Sequence, residues 1–430
     1  MNPFILKWRK KISFGVIIVT IFFDYLSVMM IDPIVIQVIS NSTIFQKTNY
    51  NFWVIGAGIL FGIYSIGQFI TAPFLGTLSE RYGRKPVLVF SLLGTVFARL
   101  LFIGGLLLSS FWIILLSRFI DGITGGNISA AEAAIADISD ESNLDHNFRI
   151  SASAVALGLA LGPIVNIASY YTLSSYFPGF QSSIISAIAA LGLSVFNLLL
   201  LALLFGETLK RKTQEVRFHL EDINIISKIS KLGEKKKLFF LVFIFTFGFW
   251  LASYLKLYIP FQLNYSSNDD GSYINLAYLY VGFWLVVSQQ FILRKYDIRL
   301  KGTLINFISI CILGGVILLS FSLPINWDEY FYVKYIILAS GASLFAIGYG
   351  AVYPIFNSWL CEKDDYVLST HSKTGEILGI STSMNALSQG LAPILAGLLA
   401  TYSISTPIVA GLILMAFSIF YLYFNSRRRF

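Results

Sequence analysis

Long apolar runs, broken by short charged stretches, pattern this chain from end to end. Twelve such runs fall at about 13–38, 53–75, 87–108, 111–136, 150–171, 182–206, 238–261, 273–293, 302–323, 332–356, 376–401 and 404–425. Each has the ~20 residues that a helix rising ~1.5 Å per residue needs to cross the hydrocarbon of a bilayer. Backbone amides in lipid must be paired within their own segment, so these runs are predicted to be helices. None alternates at strand period, and runs of this length exclude a barrel. The expectation is an all-α polytopic membrane protein with twelve transmembrane helices.

The polar positions between the runs set an orientation. With the N-terminus inside, the cytoplasmic segments hold 26 of the 31 Lys and Arg residues, while outer loops carry Asp269, Asp270, Asp328 and Glu329. That asymmetry predicts cytoplasmic N- and C-termini, and residence in a cell inner or plasma membrane is the accompanying expectation. The basic N-terminus leads straight into the first run with no small-residue cleavage site, so it reads as retained. The basic stretch 207–237 divides the chain into six-helix units at 1–206 and 238–430. A surface helix around 220–232 is expected in that linker, anchored to anionic lipid.

Composition narrows the function. Of 430 residues, 56% are hydrophobic and 13% charged, against about 25% charged in soluble proteins. The net charge is +8, but the basic residues sit in loops between spans, which excludes a nucleic-acid partner. Cys311 and Cys361 imply no disulfide framework. No phosphate-cradling loop, nucleotide motif or metal cluster is present, so neither an enzyme nor a cofactor is expected.

An internal repeat supports two halves. A shift of 230 residues lays Ser151–Ile164 on Ser381–Ile394, with Ser151/Ser381, Ser153/Ser383, Ala156/Ala386, Leu157/Leu387, Leu161/Leu391, Pro163/Pro393 and Ile164/Ile394 identical. The fifth and eleventh runs are therefore expected to be counterparts in two pseudo-symmetric bundles.

Ionisable residues inside spans are costly and point to function. Asp24 and Asp121 fall near mid-membrane, as does Arg99, and Asp32 lies toward the outer end of the first run. Arg118 shares a face with Asp121 at i, i+3. Two readings of that pair stay open, a fixed neutral pair or a coupling site. His146, His219 and His371 all lie in cytoplasmic regions, so a carboxylate must carry any transported proton. Burial raises a carboxylate's pKa and a neighbouring Arg lowers it, so an Asp near a movable Arg can load and release a proton. Asp24, Arg118 and Asp121 are the coupling candidates. The second half offers amides, and Gln289, Gln290, Asn357, Asn385 and Gln389 are expected, with Asp32 and Arg99, around a substrate cavity.

Several stretches resemble the major facilitator superfamily. Gly76, Leu78, Arg81, Gly83, Arg84, Lys85 and Leu88 fit its signature loop, with Glu80 where the family has Asp. Gly206-Glu207-Thr208-Leu209 resembles the acidic motif that closes its sixth helix. Arg118 to Gly122, followed by Gly125 and Gly126, resembles the fourth-helix motif linked to proton transfer. Gly158, Gly162 and Pro163 resemble the fifth-helix motif of antiporters, although Asn166-Ile167 stands where the family continues to a Gly pair. Asp24 followed by Pro33 resembles the first helix of drug–proton antiporters. The region 118–163 is most similar to the tetracycline-efflux branch, which has a third-helix Asp where this chain has Ala98 and then Arg99. That departure argues against a cationic or metal-chelated drug. The resemblance implies a monomer working by alternating access, with proton-coupled export of a small organic molecule as the function. Uptake of a nutrient or anionic metabolite, and a sensor or scaffold without flux, are the rivals. It also implies a latch at Gly76, Glu80, Arg81, Gly83, Arg84 and Asp137, with Arg84 and Asp137 paired when the protein is closed to the inside.

Overall fold

A computed structural model describes residues 3–41, 50–139, 143–176, 181–209, 236–253, 272–296, 300–320, 331–361, 372–403 and 405–424. The expected linker helix at 220–232 lies outside these residues. The helices are α1 (Pro3–Asn41), α2 (Tyr50–Tyr82), α3 (Arg84–Leu107), α4 (Phe111–Thr124), α5 (Ile128–Ile138), α6 (Leu144–Leu173), α7 (Ser182–Leu204), α8 (Lys236–Ala252), α9 (Ser272–Val287), α10 (Lys301–Leu319), α11 (Phe331–Cys361), α12 (Ser372–Ala400) and α13 (Thr406–Phe424). No strand occurs among the described residues. Nine helices there are long and apolar enough to cross a membrane, and the apolar helices at Lys237–Ala252 and Tyr278–Ile292 are shorter.

The chain is built with its polar face inward. On α3, Phe90, Leu93, Phe97 and Leu100 are exposed, whereas Ser91, Thr95, Ala98 and Arg99 are buried. Those two sets lie on opposite sides of one helix, the arrangement expected where the solvent is lipid.

Two departures from the sequence reading concern helix ends. The charged stretch after Gly76 is not a loop. α2 runs through it to Tyr82, and Gly83 alone separates α2 from α3. Gly83 adopts φ 109°, a conformation that suits glycine. The fourth run is also broken, by a tight 3-10 turn at Gly125–Asn127 between α4 and α5. The carbonyls freed there are taken by neighbouring side chains. Thr71 donates to the Ile123 carbonyl at 2.7 Å, Gln68 to that of Gly125 at 3.0 Å, and Ser91 to that of Thr124. A break inside a membrane span is tolerable when its backbone is satisfied in this way.

Helix packing repeats across the chain. α6 lies against α1 and α9, and α12 lies against α8 and α2. The pairs α3·α4, α1·α7, α3·α7 and α2·α4 in the first half have α10·α11, α8·α13, α10·α13 and α9·α11 as partners in the second. Backbones approach closely where glycine permits. A Cβ added at Gly122 would lie 1.9 Å from the Tyr64 carbonyl of α2. Gly158 and Gly162 bring α6 against the α1 backbone, with Pro163 buried in the same helix.

One apolar cluster draws on both halves. It joins Met30, Ile34, Val54 and Phe61 to Leu251, Ala392 and Ala396 at the end remote from Gly83. The cluster at the Gly83 end, around Ile17, Leu88, Ile128 and Leu201, contains first-half residues alone among those described.

Candidate functional site

A chain of buried charges crosses the first half. Arg99 is the largest fully buried side chain described. Its Nη1 donates to Asp121 Oδ2 at 2.6 Å, and its Nη2 reaches the Ser27 hydroxyl at 3.4 Å. Arg118 turns toward α1, where its Nη2 donates to Asp32 Oδ1 at 3.0 Å. The i, i+3 contact between Arg118 and Asp121 is 3.8 Å, an ionic contact without a hydrogen bond. The partners expected from spacing are therefore exchanged, with Arg99 as the close partner of Asp121 and Asp32 as that of Arg118. The Arg118 guanidinium also lies over the Tyr64 ring, 5.0 Å from its centroid.

Asp24 stands beside this chain but outside its ion pairs. Its carboxylate accepts from the Asn127 amide at 3.4 Å, and its backbone carbonyl accepts from Ser27 at 2.9 Å. Asn127 belongs to the 3-10 turn, so the break between α4 and α5 delivers that amide. Asp24 remains partly accessible, whereas Asp121 and Arg99 are each only 2% exposed. Asp32 is buried and engaged, so both charged cavity candidates, Asp32 and Arg99, are closed into ion pairs.

Glu132 was missed by the sequence reading. It sits on α5, within the fourth apolar run, and is partly exposed. Its signal was a carboxylate flanked by alanines on both sides.

At the basic end, Arg84 Nε donates to Asp137 Oδ2 at 3.0 Å, and its Nη1 donates to Ser79 at 2.6 Å. The pair lies within the first half and is made while the remote apolar cluster is packed. Gly76 sits over Ser129 of α5, Glu80 is exposed, and Arg81 lies over the Tyr82 ring at 5.4 Å. Glu207 completes this corner. One carboxylate oxygen accepts from the Arg84 backbone amide at 2.9 Å and the other from that of Lys85 at 3.2 Å. It thereby caps the N-terminus of α3, where amides lack helical partners and the dipole favours an anion. Thr208 adds a hydrogen bond to Asp137 at 3.3 Å.

The second half contributes aromatics and amides. Phe249 and Tyr349 stack with centroids 3.7 Å apart, and Trp250 meets Tyr349 edge-on. The Trp250 indole and the Tyr349 hydroxyl both donate to Asn385 Oδ1, at 3.2 and 3.4 Å. Gln389 accepts from Ser65 of α2 at 3.4 Å, a polar contact between the halves. Gln289 and Gln290 lie in a π-helical turn at 288–292. Gln290 donates to Ser153 of α6, while the buried Gln289 Oε1 has no partner among the described residues. Asn357 lies on α11, with its side chain outside the described residues.

The family profile of the Major Facilitator Superfamily matches residues 17–364. The class H tetracycline resistance protein of Pasteurella multocida is 25% identical over 389 residues, 86% of this chain and 87% of that one. Identity to the class B tetracycline resistance protein of Escherichia coli is 38% over 108 residues, 25% of this chain and 26% of the relative. Among solved structures, the human organic anion transporter MFSD10 (TETRAN) superposes with TM-score 0.72 at 18% identity, covering 98% of this chain and all 100% of its own. The E. coli fucose:proton symporter gives 0.61 at 12% identity with the same coverage. At these identities the two structures bear on the fold. With its profile match over most of its length, the chain belongs to the major facilitator superfamily of transporters.

Proposed function

We propose that this chain is a secondary transporter that exports a small organic molecule in exchange for protons. The nine long spans, the broken α4–α5 segment and the two shorter apolar helices make twelve crossings. Residues 1–206 and 238–430 form the two six-helix bundles, with 207–237 as the linker between them. Both termini face the cytoplasm, the protein resides in an inner or plasma membrane as a monomer, and the bundles rock about a shared cavity. The repeated packing of α6 and α12 supports the two-bundle reading, and the tetracycline-resistance relatives support export.

One observation carries the coupling assignment. Asp24 is the mid-span aspartate left outside the ion pairs, while Asp32 and Asp121 each face a guanidinium. A carboxylate with a weak amide contact and some accessibility can exchange a proton as the cavity changes sides. In Asp121 and Asp32 a carboxylate oxygen is already engaged by a guanidinium. The same pairing weighs against an anionic metabolite, because Arg99 and Arg118 are already matched by carboxylates.

The test uses purified protein in proteoliposomes. Asp24→Asn should retain substrate exchange but lose transport driven by a pH gradient. Full pH-driven transport in Asp24→Asn, with loss in Asp121→Asn, would move the proton to α4. Transport in everted and right-side-out vesicles separates export from uptake. A complete lack of substrate-dependent proton movement would favour a sensor without flux.

A further inference from the structure

Asn385 sits where three helices of the second half meet. Its Oδ1 receives two donors, the Trp250 indole of α8 at 3.2 Å and the Tyr349 hydroxyl of α11 at 3.4 Å. An indole N–H can only donate, so turning the amide over would set N–H against N–H. Oδ1 is thereby fixed toward the aromatic group, and Nδ2 is directed away from it. That nitrogen has no partner among the described residues, yet it is not sealed by its neighbours. Two hydrogen bonds to Oδ1 also polarise the amide and strengthen its N–H groups as donors.

Gln389 repeats the arrangement one turn on, on the same face of α12. Its Oε1 accepts from Ser65 of α2 at 3.4 Å, and its Nε2 is likewise open and without a partner among the described residues. The open amide of Asn385 lies about five residues, or ~7 Å, from Gly390 toward the Gly83 end, just beneath the place where α2 and α12 close on each other. Its surroundings are aromatic and uncharged. Residues 238–252, 335–361 and 377–400 of α8, α11 and α12 contain no Asp, Glu, Lys, Arg or His. An uncharged donor offsets little of the cost of taking an ion out of water. In the first half both buried guanidiniums are matched by carboxylates. The group that suits this position is a neutral acceptor attached to a ring.

We propose that Asn385 Nδ2 is the donor that recognises the cargo, which is an uncharged aromatic carbonyl compound. The carbonyl oxygen accepts from Nδ2, and the ring system rests against Trp250 and Tyr349, both partly exposed. Trp250 is also a positioning residue, because its N–H sets which end of the amide is presented. The part of this site in flux rests on the transport reading above, whereas binding is tested without it.

The probes are fluorenone and fluorene, which share a ring frame and differ by one carbonyl, with a carboxylate derivative of fluorenone as the charged member. Binding is measured by equilibrium dialysis on full-length protein in nanodiscs, against empty nanodiscs. Fluorenone should bind about tenfold or more tighter than fluorene, and tighter than the carboxylate. Asn385→Asp keeps Oδ1 for Trp250 and Tyr349 and puts an oxygen in place of the donor. It should weaken fluorenone about tenfold and leave fluorene unchanged. Trp250→Phe should narrow the ratio between the two probes. Equal binding of the pair, tighter binding of the carboxylate, or an unchanged ratio in Asn385→Asp would overturn the proposal. Carbonyl-selective binding that depends on Asn385 but drives no proton movement in proteoliposomes would leave the site standing and defeat the transport reading. Proton movement driven equally by fluorenone and fluorene would do the reverse. Should Asn385→Asp not fold, the wild-type protein decides. The carbonyl stretch of bound, isotope-labelled fluorenone should fall below its frequency in hexane, and an unshifted stretch would refute the site.

Discussion

Arg99 and Asp121 are each 2% exposed and joined at 2.6 Å, so removing either alone leaves the other buried without its close partner. Breaking one side of such a buried pair costs about 3–5 kcal/mol, whereas replacing both with apolar groups is often nearly neutral. Arg99→Leu is therefore expected to lower the melting temperature in detergent sharply, and Arg99→Leu with Asp121→Leu should recover most of it. A double variant as unstable as the single would mean that Arg99 acts through something other than Asp121. This partnership was not legible in the sequence. Spacing brings Arg118 and Asp121 onto one face of α4, but it says nothing of which way α3 rotates. The lipid-facing stripe at Phe90, Leu93, Phe97 and Leu100 carried that information, because it turns Arg99 inward. Glu132 escaped for a different reason. It lies inside the apolar run 111–136 with alanines on both sides, and hydropathy alone carries through it.

At the scale of elements, the corner between α2 and α3 depends on three groups acting together. Gly83 supplies a positive φ, and a Cβ there would meet Glu207 Oε2 at 2.4 Å, the same carboxylate that caps α3. Loss of a capping carboxylate costs about 1 kcal/mol. We expect Glu207→Ala and Gly83→Ala each to destabilise the protein to thermal unfolding. Because both act on one contact, their effects should fall short of adding. Strict additivity would separate the turn from the cap. Arg84 shares this corner through Asp137 and Ser79, so Arg84→Ala should insert normally and transport poorly. Normal flux in that variant would remove the latch role. The apolar pattern located the helices well, yet it misjudged their ends. A charged stretch reads as a loop, whereas α2 simply emerges past the apolar zone before turning. Hydropathy likewise carried straight through the break between α4 and α5 at Gly125–Asn127.

At the scale of the molecule, the repeat between Ser151–Ile164 and Ser381–Ile394 made the symmetry of α6 and α12 readable, because corresponding helices must fit corresponding neighbours. What the sequence could not convey is where the halves meet most tightly. α2 and α12 touch backbone to backbone. A Cβ at Gly58 would lie 2.3 Å from the Pro393 carbonyl, one at Gly62 2.3 Å from the Gly390 carbonyl, and one at Gly390 2.7 Å from Ile66. No side chain fits there, and the apolar cluster at the remote end closes around the contact. Alternating access as proposed requires this contact to form and release in each cycle. Gly62→Leu or Gly390→Leu should wedge α2 from α12, because main chain stands in the way at both, the Gly390 carbonyl against a Cβ at Gly62 and the Ile66 amide nitrogen 3.0 Å from one at Gly390. The variant should insert, since neither residue holds a charge pair, but it should not close at the remote end. Ser65, 4% exposed and bonded to Gln389 just inside the contact, offers the reporter. In a Ser65→Cys background, an impermeant maleimide added from the remote side should label slowly. With the wedge present, labelling should accelerate several-fold while substrate exchange is lost. Labelling at the background rate together with normal exchange would show that the α2–α12 contact stays fixed through the cycle, and the moving seam would have to lie elsewhere.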